Sequence, residues 1–495
     1  MRPRLDFMSI PSIRLLLATG AIAAGAIVLS AQEVLPTTGI SLSVLGKIAP
    51  RSAAAIHDSP WSIGAETMDR DFTVYDNFKR FLGPLGAKGV RLQAGWAKCE
   101  KAKGVYSWAW LDAIVDDATA QGVKPWLEFS YGNPVYPGGG DTGLGGGFPS
   151  SPEALAAWDA WVRVLVLRYR DRVDQWEVWN EPDLNSKGTA TAEAYVDLYI
   201  RTATIVRQLQ PSGKIWALAL AHVTTYADQF LAGMKAKGRL GLVDAITFHG
   251  YPRNPDDMRT LDQLHAVVVK YGRPIELRQG ETGAPSRYQD NFALRQISFT
   301  ETTQAKWDLR RLLAYRARDV PMNLFTLCDM HYTQESNQGG ADGVLRMNHK
   351  GLLATRLDQT VDHVKPAYSA VQGVFTIFDS TVERISAYPY TASALRGISL
   401  TGYRDKKSGD QVAAFWFNDA PPADGNGVDQ MQLSLPSGHF TEPVLVDLRT
   451  STVYALAKNQ WTVDATGIHL RNVPVYDSPL LLAERSLVPV QPLPR

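Results

Sequence analysis

The chain has 495 residues, of which 45% are hydrophobic and 20% charged, so it suits one large globular domain plus a smaller one. Its 51 Lys and Arg residues balance 50 Asp and Glu residues, which argues against nucleic acid or an integral membrane protein as partner. The two cysteines, Cys99 and Cys328, are too few for a disulfide scaffold, and we expect two free, buried thiols. No CxxC, HExxH or His cluster is present, so we expect neither a metal nor a cofactor.

The N-terminus has the pattern of an export signal. Three arginines precede the apolar run Leu15–Ser30, and small residues follow at a suitable cleavage position. The run is too short and too rich in Gly and Ala to favour a transmembrane span. We therefore predict a signal peptide, or a retained N-terminal anchor, over residues 1–31, and a secreted, periplasmic or extracellular protein. Residues 32–59, with little hydrophobic periodicity, are interpreted as a linker.

Residues 60–365 alternate short apolar runs with amphipathic segments of helical period. Eight strands alternating with helices over this length are typical of a (β/α)₈ TIM barrel, which places the chain in the α/β class. A good helix start stands at Ser151, with Pro152 in the first turn. The predicted strands are Ser62–Ala65, Val90–Gly95, Lys124–Ser130, Asp174–Asn180, Lys214–Leu220, Ala245–His249, Ile275–Gln279 and Met322–Cys328.

The pattern changes at Pro366. From there to residue 495 the chain shows short alternating runs such as Gln411–Phe417 and Pro443–Leu448, separated by turn residues. This pattern predicts a small C-terminal antiparallel β-sandwich over residues 366–495. We interpret the sandwich as a packing partner of the barrel.

Polar and aromatic side chains gather where the predicted barrel strands end, and barrel chemistry occurs at that end. Flat aromatic rings with a polar edge also suit the faces of sugars. We therefore predict a carbohydrate as partner and a substrate-binding set at these strand ends. Its members are Arg91, Trp96, Tyr131, Asn133, Trp179, Asn180, His249, Tyr251 and Gln279. Glu66, Asp329 and His331 are weaker candidates.

Two carboxylates are the strongest candidates for catalysis. Glu181 closes the fourth strand in the segment WNEPD, and Glu281 closes the seventh in RQGETG, with Glu276 as a rival near the start of that strand. Glycosidic cleavage needs one carboxylic acid to protonate the leaving oxygen and a second carboxylate to attack or to activate water. A separation of about 5–5.5 Å means retention of configuration, and about 6.5–9.5 Å means inversion.

With WNEP at the fourth strand and a Glu closing the seventh, the chain resembles the clan A glycoside hydrolases, and within them family 39, which holds β-xylosidases and α-L-iduronidases. The resemblance implies a retaining TIM-barrel enzyme with a C-terminal β-sandwich. It implies that Glu181 is the acid/base and Glu281 the nucleophile. It also implies that Asn180 binds the sugar 2-hydroxyl, while His249 and Tyr251 surround the nucleophile. The segment GETGAPS, which contains Glu281, departs from the motif that is usual in the family. The resemblance therefore predicts the mechanism more directly than the substrate.

The resulting hypothesis is a glycosidase that acts by double displacement, with xylosides among its candidate substrates. We expect the anionic Glu281 to raise the pKa of Glu181, and Arg91 to keep the nucleophile ionised. Three alternatives remain open. They are a catalytically inactive carbohydrate-binding barrel, a metal-dependent barrel enzyme with His249, Glu281 and Asp329 as ligands, and a structural cell-surface protein that binds through the sandwich. The sequence carries no signal for an oligomeric state.

Overall fold

The computed structural model describes residues 39–185, 187–332 and 345–493. The predicted signal segment, residues 1–31, lies outside them. Among the described residues, none of the helices combines the length and apolar composition that a membrane crossing requires. Both cysteines are free and buried, as predicted.

Eight parallel strands close into a barrel, with the first strand paired to the eighth through Trp61 and Met322. The predicted strands are confirmed, with bounds shifted by one or a few residues. The seventh extends furthest beyond its prediction, because Gly280, Glu281 and Thr282 continue the pairing. The strands are Trp61–Gly64, Gly89–Gln93, Lys124–Phe129, Gln175–Val178, Lys214–Leu220, Ala245–His249, Glu276–Thr282 and Met322–Leu324.

Helices follow the strands and bury their apolar faces on the barrel. Ser151 begins one of them by accepting a hydrogen bond from the Ala154 N–H, and Pro152 supplies the first turn. The helical segment after the first strand is interrupted at Lys79–Phe81, which forms a 3₁₀ turn between Tyr75–Phe78 and Leu82–Leu85. The α-helices are Tyr75–Phe78, Leu82–Leu85, Trp96–Cys99, Ala109–Ala120, Pro152–Tyr169, Ala192–Leu209, Thr224–Ala236, Arg259–Val268, Glu301–Arg316 and Pro366–Ile377.

The C-terminal β-sandwich consists of two antiparallel sheets whose inner faces share one apolar core. In spatial order, the larger sheet holds Val382–Arg384, Ile398–Asp405, Gln411–Phe417, Leu480–Glu484, Pro443–Asp447, Thr452–Ala455, Ser43–Ile48 and Val490–Gln491. The smaller sheet holds Thr391–Ala392, Asp429–Leu435, Gly467–Val475 and Trp461–Asp464. Two small hairpins, Met330–Tyr332 with Arg346–Asn348 and Leu353–Thr355 with Val361–Val364, follow the eighth barrel strand.

At two predicted boundaries the structure shows pairing or packing that crosses the boundary. Residues 32–59 are not only a linker, because Ser43–Ile48 is a strand of the larger sandwich sheet. The barrel does not end before Pro366, because helix Pro366–Ile377 packs against helix Glu301–Arg316, and the ring of Phe375 stacks on Trp61 of the first barrel strand. Proline is common in the first turn of a helix, and Pro366 begins one here. The hydrophobic pattern changes at the same residue, which made it resemble a domain boundary.

Polar contacts fix the sandwich to helix Glu301–Arg316. The buried Lys306 ammonium donates to the carbonyls of Ala423 and Gly425 and forms an ion pair with Asp477 at 2.7 Å. One turn on, the guanidinium of Arg310 pairs with Asp256, whose other oxygen accepts from Trp416. These contacts agree with the interpretation of the sandwich as a packing partner.

Candidate active site

Glu181 lies just beyond the fourth barrel strand on a strained turn. Trp179 and Glu181 have φ angles of 66° and 48°, in the left-handed region that non-glycine residues rarely adopt. The Glu181 N–H donates to the Ala219 carbonyl at 3.0 Å, which ties the turn to the fifth strand. Such conformations cost about 1–3 kcal/mol each and persist where the surroundings hold them. The strain therefore serves to direct the Glu181 carboxyl group into the barrel mouth.

Glu281 lies across the mouth on the seventh strand. Its Oε1 accepts from the Tyr251 hydroxyl at 2.5 Å, and its Oε2 accepts from the Arg91 guanidinium at 3.2 Å. Carboxylate oxygens of Glu281 and Glu181 lie within 4.8 Å of each other. This short separation belongs with the geometry of retaining glycosidases and leaves too little room for the water of an inverting one.

His249 lies beneath both carboxylates at the end of the sixth strand. Its Nδ1 is 2.8 Å from Oε1 of Glu181 and 3.6 Å from Oε2 of Glu281. Burial lowers the pKa of His249, although the charge of Glu281 opposes the effect. A neutral imidazole therefore lies close to both carboxyl groups and helps to hold them at a fixed distance from each other.

Arg91 is fully buried and pairs with a group of four carboxylates in this part of the barrel. Its guanidinium donates to Glu66, Glu128, Glu177, Glu281 and the amide oxygen of Asn180. One positive charge cannot balance four carboxylates out of water, so some of them retain protons. Burial raises the pKa of Glu66 to about 8, with Glu281 adding to the rise and Arg91 opposing it. Arg91 thus positions the nucleophile from behind the mouth.

Burial also raises the pKa of Glu181 to about 8, and the nearby charge of Asp183 adds to the effect. Arg91 and His222 oppose it. The pKa of Glu181 is raised, as expected. The main cause is desolvation, whereas the sequence analysis attributed the rise to the charge of Glu281. Glu181 therefore holds its proton at neutral pH, as a general acid must.

From this pKa we expect kcat/KM to fall above about pH 8, tenfold per pH unit, because only protonated Glu181 can assist a leaving oxygen. An activated aryl glycoside, such as a 2,4-dinitrophenyl glycoside, leaves without a proton and should lack this basic limb. The measurement is kcat/KM as a function of pH for one substrate with a poor leaving group and one with an activated leaving group. An identical basic limb for both would place the titrating group elsewhere.

A cavity of about 550 Å³, the central cavity, opens at the two carboxylates and is within the size range of ligand sites. Three members of the predicted substrate-binding set, Tyr131, Asn180 and Tyr251, line it together with both catalytic candidates. The amide of Asn180 donates to the Tyr131 hydroxyl at 2.9 Å while accepting from Arg91, so its orientation is fixed.

Six members of the predicted substrate-binding set do not line the central cavity. Two of them, Arg91 and His249, contact Glu281 and Glu181 from inside the barrel, and the other four are Trp96, Asn133, Trp179 and Gln279. Trp96 packs among Tyr136, Trp158 and Trp161 and donates its indole N–H to Glu100. The other three, Asn133, Trp179 and Gln279, are also buried within the protein.

Internal partners explain their burial. Asn133 donates to the Glu100 carbonyl at 2.8 Å, and the Trp179 ring packs edge-on against Phe148. Gln279 donates to Tyr315 and accepts from the Glu281 N–H at 3.0 Å, so it supports the nucleophile from inside. A strand-end position does not determine whether a side chain points into the mouth or into the helix layer, and the structure places these four away from the central cavity.

Several residues that line the central cavity belong to loops in which the sequence analysis found no motif. Asn291, Phe292 and Arg295 lie in the loop after the seventh strand. Another group follows the eighth strand: Phe325, Tyr332, Asn348 and Lys350. Burial lowers the pKa of Lys350 to about 7, although Glu281 opposes the effect. A single sequence carries no signal for these residues, because the shape of a loop decides which of its side chains point into the cavity.

Two rival assignments fail on geometry. Glu276 lies at the start of the seventh strand, half exposed, and pairs with Arg278 at 2.6 Å, far from the mouth side of the strand. Asp329, a ligand in the metal alternative, forms an ion pair with Lys365 at 2.7 Å and accepts from the Gly351 N–H. Glu276 is therefore no competitor for the nucleophile, and Asp329 is held apart from His249 and Glu281 by its own partners.

Tyr251→Phe removes the only hydroxyl seen to donate to Oε1 of Glu281 among the described residues. We expect kcat to fall about tenfold, since a hydrogen bond to a charged group is worth roughly 1.5–3 kcal/mol and the substrate replaces part of it. The melting temperature should change little. Steady-state kinetics on one substrate make the test, and an unchanged kcat would show that the contact does not tune the nucleophile.

Residues 93–269 match the family described as Glycosyl hydrolases family 39. The chain is a glycoside hydrolase, and its barrel is similar to that of family 39. The matched segment contains Glu181, His249 and Tyr251, while Glu281 lies beyond it. No curated relative matches the enzyme in sequence.

Solved structures with a similar fold include a family 39 glycoside hydrolase from Bacteroides cellulosilyticus WH2, with a TM-score of 0.60 and 16% identity over 86% of this chain and 81% of that one. A monomeric β-xylosidase from Caulobacter crescentus CB15 gives 0.55 and 17% over 92% and 99%. The family 30 subfamily 8 xylanase Xyn30A from Clostridium acetobutylicum gives 0.56 and 12% over 89% and 98%. At these identities the likeness establishes the barrel-and-sandwich fold.

Proposed function

We propose that the enzyme hydrolyses O-glycosidic bonds of oligo- or polysaccharides with retention of anomeric configuration. The carrying observation is the pair Glu181 and Glu281, whose oxygens lie within 4.8 Å of each other at the base of the central cavity. β-Xylosides are the first substrates to test, since the similar structure from Caulobacter crescentus CB15 is a β-xylosidase.

In the first step, Oε2 or Oε1 of Glu281 attacks the anomeric carbon while protonated Glu181 gives its proton to the leaving oxygen. The carbon–oxygen bond to the leaving group breaks, and a glycosyl ester on Glu281 forms. In the second step, Glu181, now a carboxylate, takes a proton from water, and the resulting hydroxide displaces Glu281 from the sugar. Arg91 and Tyr251 stabilise the Glu281 carboxylate before attack and after release.

The test is a panel of aryl glycosides, xylan, mannan and β-glucan, each with the purified enzyme. Proton NMR of the first product then reads its anomeric configuration. Release of a sugar with retained configuration supports the proposal, and release with inversion contradicts the mechanism. If nothing is released but a glycan is bound, the alternative of a binding-only barrel is favoured.

The Glu181→Ala variant should lose about 10²–10⁴-fold of its rate on substrates with poor leaving groups, the usual contribution of general acid–base catalysis. With an activated aryl glycoside, added azide should restore turnover, because the small anion enters the space left by the carboxyl group and attacks the ester on Glu281. The product is a glycosyl azide with the substrate's configuration. Wild-type enzyme with azide is the control, and absence of rescue would argue against Glu181 as the base.

We also propose that the enzyme acts outside the cytosol. The arginines before the apolar run Leu15–Ser30 support this location. Expression of the full chain, cell fractionation and N-terminal sequencing of the product test it, with cleavage expected close to Ala31. An intact N-terminus in the cytosolic fraction would contradict the proposal.

A further inference from the structure

Two smaller cavities adjoin the central cavity on opposite sides of the barrel mouth. The strand-2 cavity, about 230 Å³, is lined by residues after the first three strands, among them Asp71, Lys98 and Lys101. The strand-6 cavity, about 310 Å³, is lined by residues after the fifth and sixth strands, among them Asp257, Arg259 and Gln263. At ~30 Å³ per water molecule, they have room for about eight and ten waters, a space comparable with one sugar residue.

Each smaller cavity shares side chains with the central one. Arg70 and Tyr131 line both the central and strand-2 cavities. Ala221, His222 and Tyr251 line both the central and strand-6 cavities. In a barrel whose strands follow one another in chain order, the second and sixth strands face each other across the axis. The three cavities therefore form one row across the mouth, with Glu181 and Glu281 at its centre.

The side chains of the strand-6 cavity suit hydroxyl groups. Arg259 begins its helix, is 85% exposed and forms a fork with the Asp257 carboxylate at 2.5–3.0 Å. Gln263, also exposed, lies one helical turn further along. A planar guanidinium, a carboxylate and an amide offer donors and acceptors that bind sugar hydroxyls without requiring a charged substrate.

Glu181 marks the side of the leaving group. Its N–H bonds to Ala219, and Asp183 beside it accepts from the N–H groups of Ala221 and His222, so the acid is joined to the wall of the strand-6 cavity. Tyr131, whose hydroxyl accepts from the Asn180 amide, lines the strand-2 cavity on the other side. The proton donor at the centre of the row is thus joined through its backbone to the strand-6 end.

We propose that the row is a cleft with at least three sugar subsites, in which the enzyme cleaves glycan chains internally and holds the leaving portion in the strand-6 cavity. This inference rests on the proposed glycosidase function and specifies its substrate as a chain that extends on both sides of the cleaved bond. A blind cavity, by contrast, would admit only the terminal sugar of a chain.

The test uses β-1,4-linked hexasaccharides of xylose, mannose and glucose, labelled at the reducing end, with product lengths read by mass spectrometry at early times. We expect di-, tri- or tetrasaccharides as the first products. A monosaccharide as the first product, or cleavage of aryl glycosides with no cleavage of any hexasaccharide, overturns the internal cleavage. Failure of the proposed function is distinct, because then no aryl glycoside, polysaccharide or hexasaccharide releases sugar at all.

A double variant, Arg259→Ala with Gln263→Ala, isolates the strand-6 cavity. It should lower kcat/KM on the hexasaccharide about tenfold, since each lost hydrogen bond costs a few-fold. The shift of the cleavage position along the hexasaccharide is the second readout. Arg404→Ala, on an exposed ion pair of the sandwich, is the matched control. Unchanged rate and cleavage position in the double variant would overturn the assignment of this cavity.

Discussion

Glu281→Gln is expected to reduce kcat/KM by at least about 10⁴-fold on every substrate, because an amide keeps the shape of the side chain but cannot attack an anomeric carbon. The remaining rate comes from binding and from Glu181 alone. Stability should stay close to that of the wild type, since Tyr251 can still donate to the amide oxygen and Arg91 keeps three other carboxylate partners.

Glu276→Gln is the matched control for this experiment. It changes the same functional group on the same strand, but its carboxylate is half exposed and pairs only with Arg278 among the described residues. Its kcat/KM should remain within twofold of wild type. If Glu281→Gln kept more than a tenth of the activity, the nucleophile would have to be sought elsewhere in the mouth.

Arg91→Met is expected to be the most destabilising single change at the site. It removes a cation that three buried carboxylates, Glu66, Glu128 and Glu177, share with the partly exposed Glu281. Breaking a buried ion pair from one side costs about 3–5 kcal/mol. Activity should be lost together with stability, because Glu281 and Asn180 both lose the guanidinium that orients them.

The pH dependence of this loss distinguishes its cause. Burial raises the pKa of Glu66 to about 8 in the folded protein, and Arg91 opposes the rise, so its removal raises the pKa further. A carboxyl group with a raised folded pKa supports stability below its unfolded pKa, near 4.5, and loses that support as pH increases through the folded pKa. Below pH 8 Glu66 is protonated in both folded proteins and contributes equally. Above pH 8 it ionises in the wild type but stays protonated in the variant, so denaturant unfolding should show a larger deficit near pH 9.5 than near pH 7. Arg404→Met should cost less than about 1 kcal/mol at both, and an equal Arg91→Met deficit at both would point to lost packing.

The sequence predicted the barrel well because each buried parallel strand is a short apolar run between helical segments, as in Ala245–His249. It also placed Glu181 and Glu281 at facing strand ends. The sequence analysis did not predict the strand Ser43–Ile48. This strand is half exposed and its partner strands lie far along the chain, so no local pattern of residues marks it as a strand. For Trp96, the position after a strand predicted the mouth, but the ring turns into the aromatic layer behind it.

The convergence of carboxylates on Arg91 was also beyond prediction. Glu66 follows the first strand, Glu128 lies on the third and Glu177 on the fourth, and only the closed barrel brings them to one guanidinium. Spacing along the chain gives no hint of that convergence. The same holds for Lys350, which reaches the central cavity through hairpins after the eighth strand.

The pairing of Ser43–Ile48 with Thr452–Ala455 has a consequence for synthesis. Lys47 and Thr452 bond to each other across 405 positions of the chain. At about 5–20 residues per second, the ribosome needs roughly 20–80 s to make the partner after the first strand has emerged. The barrel's own strands are complete well before then, so this early strand must wait unpaired while the catalytic body assembles. It exposes an open edge to chaperones or to export machinery until the last sheet closes.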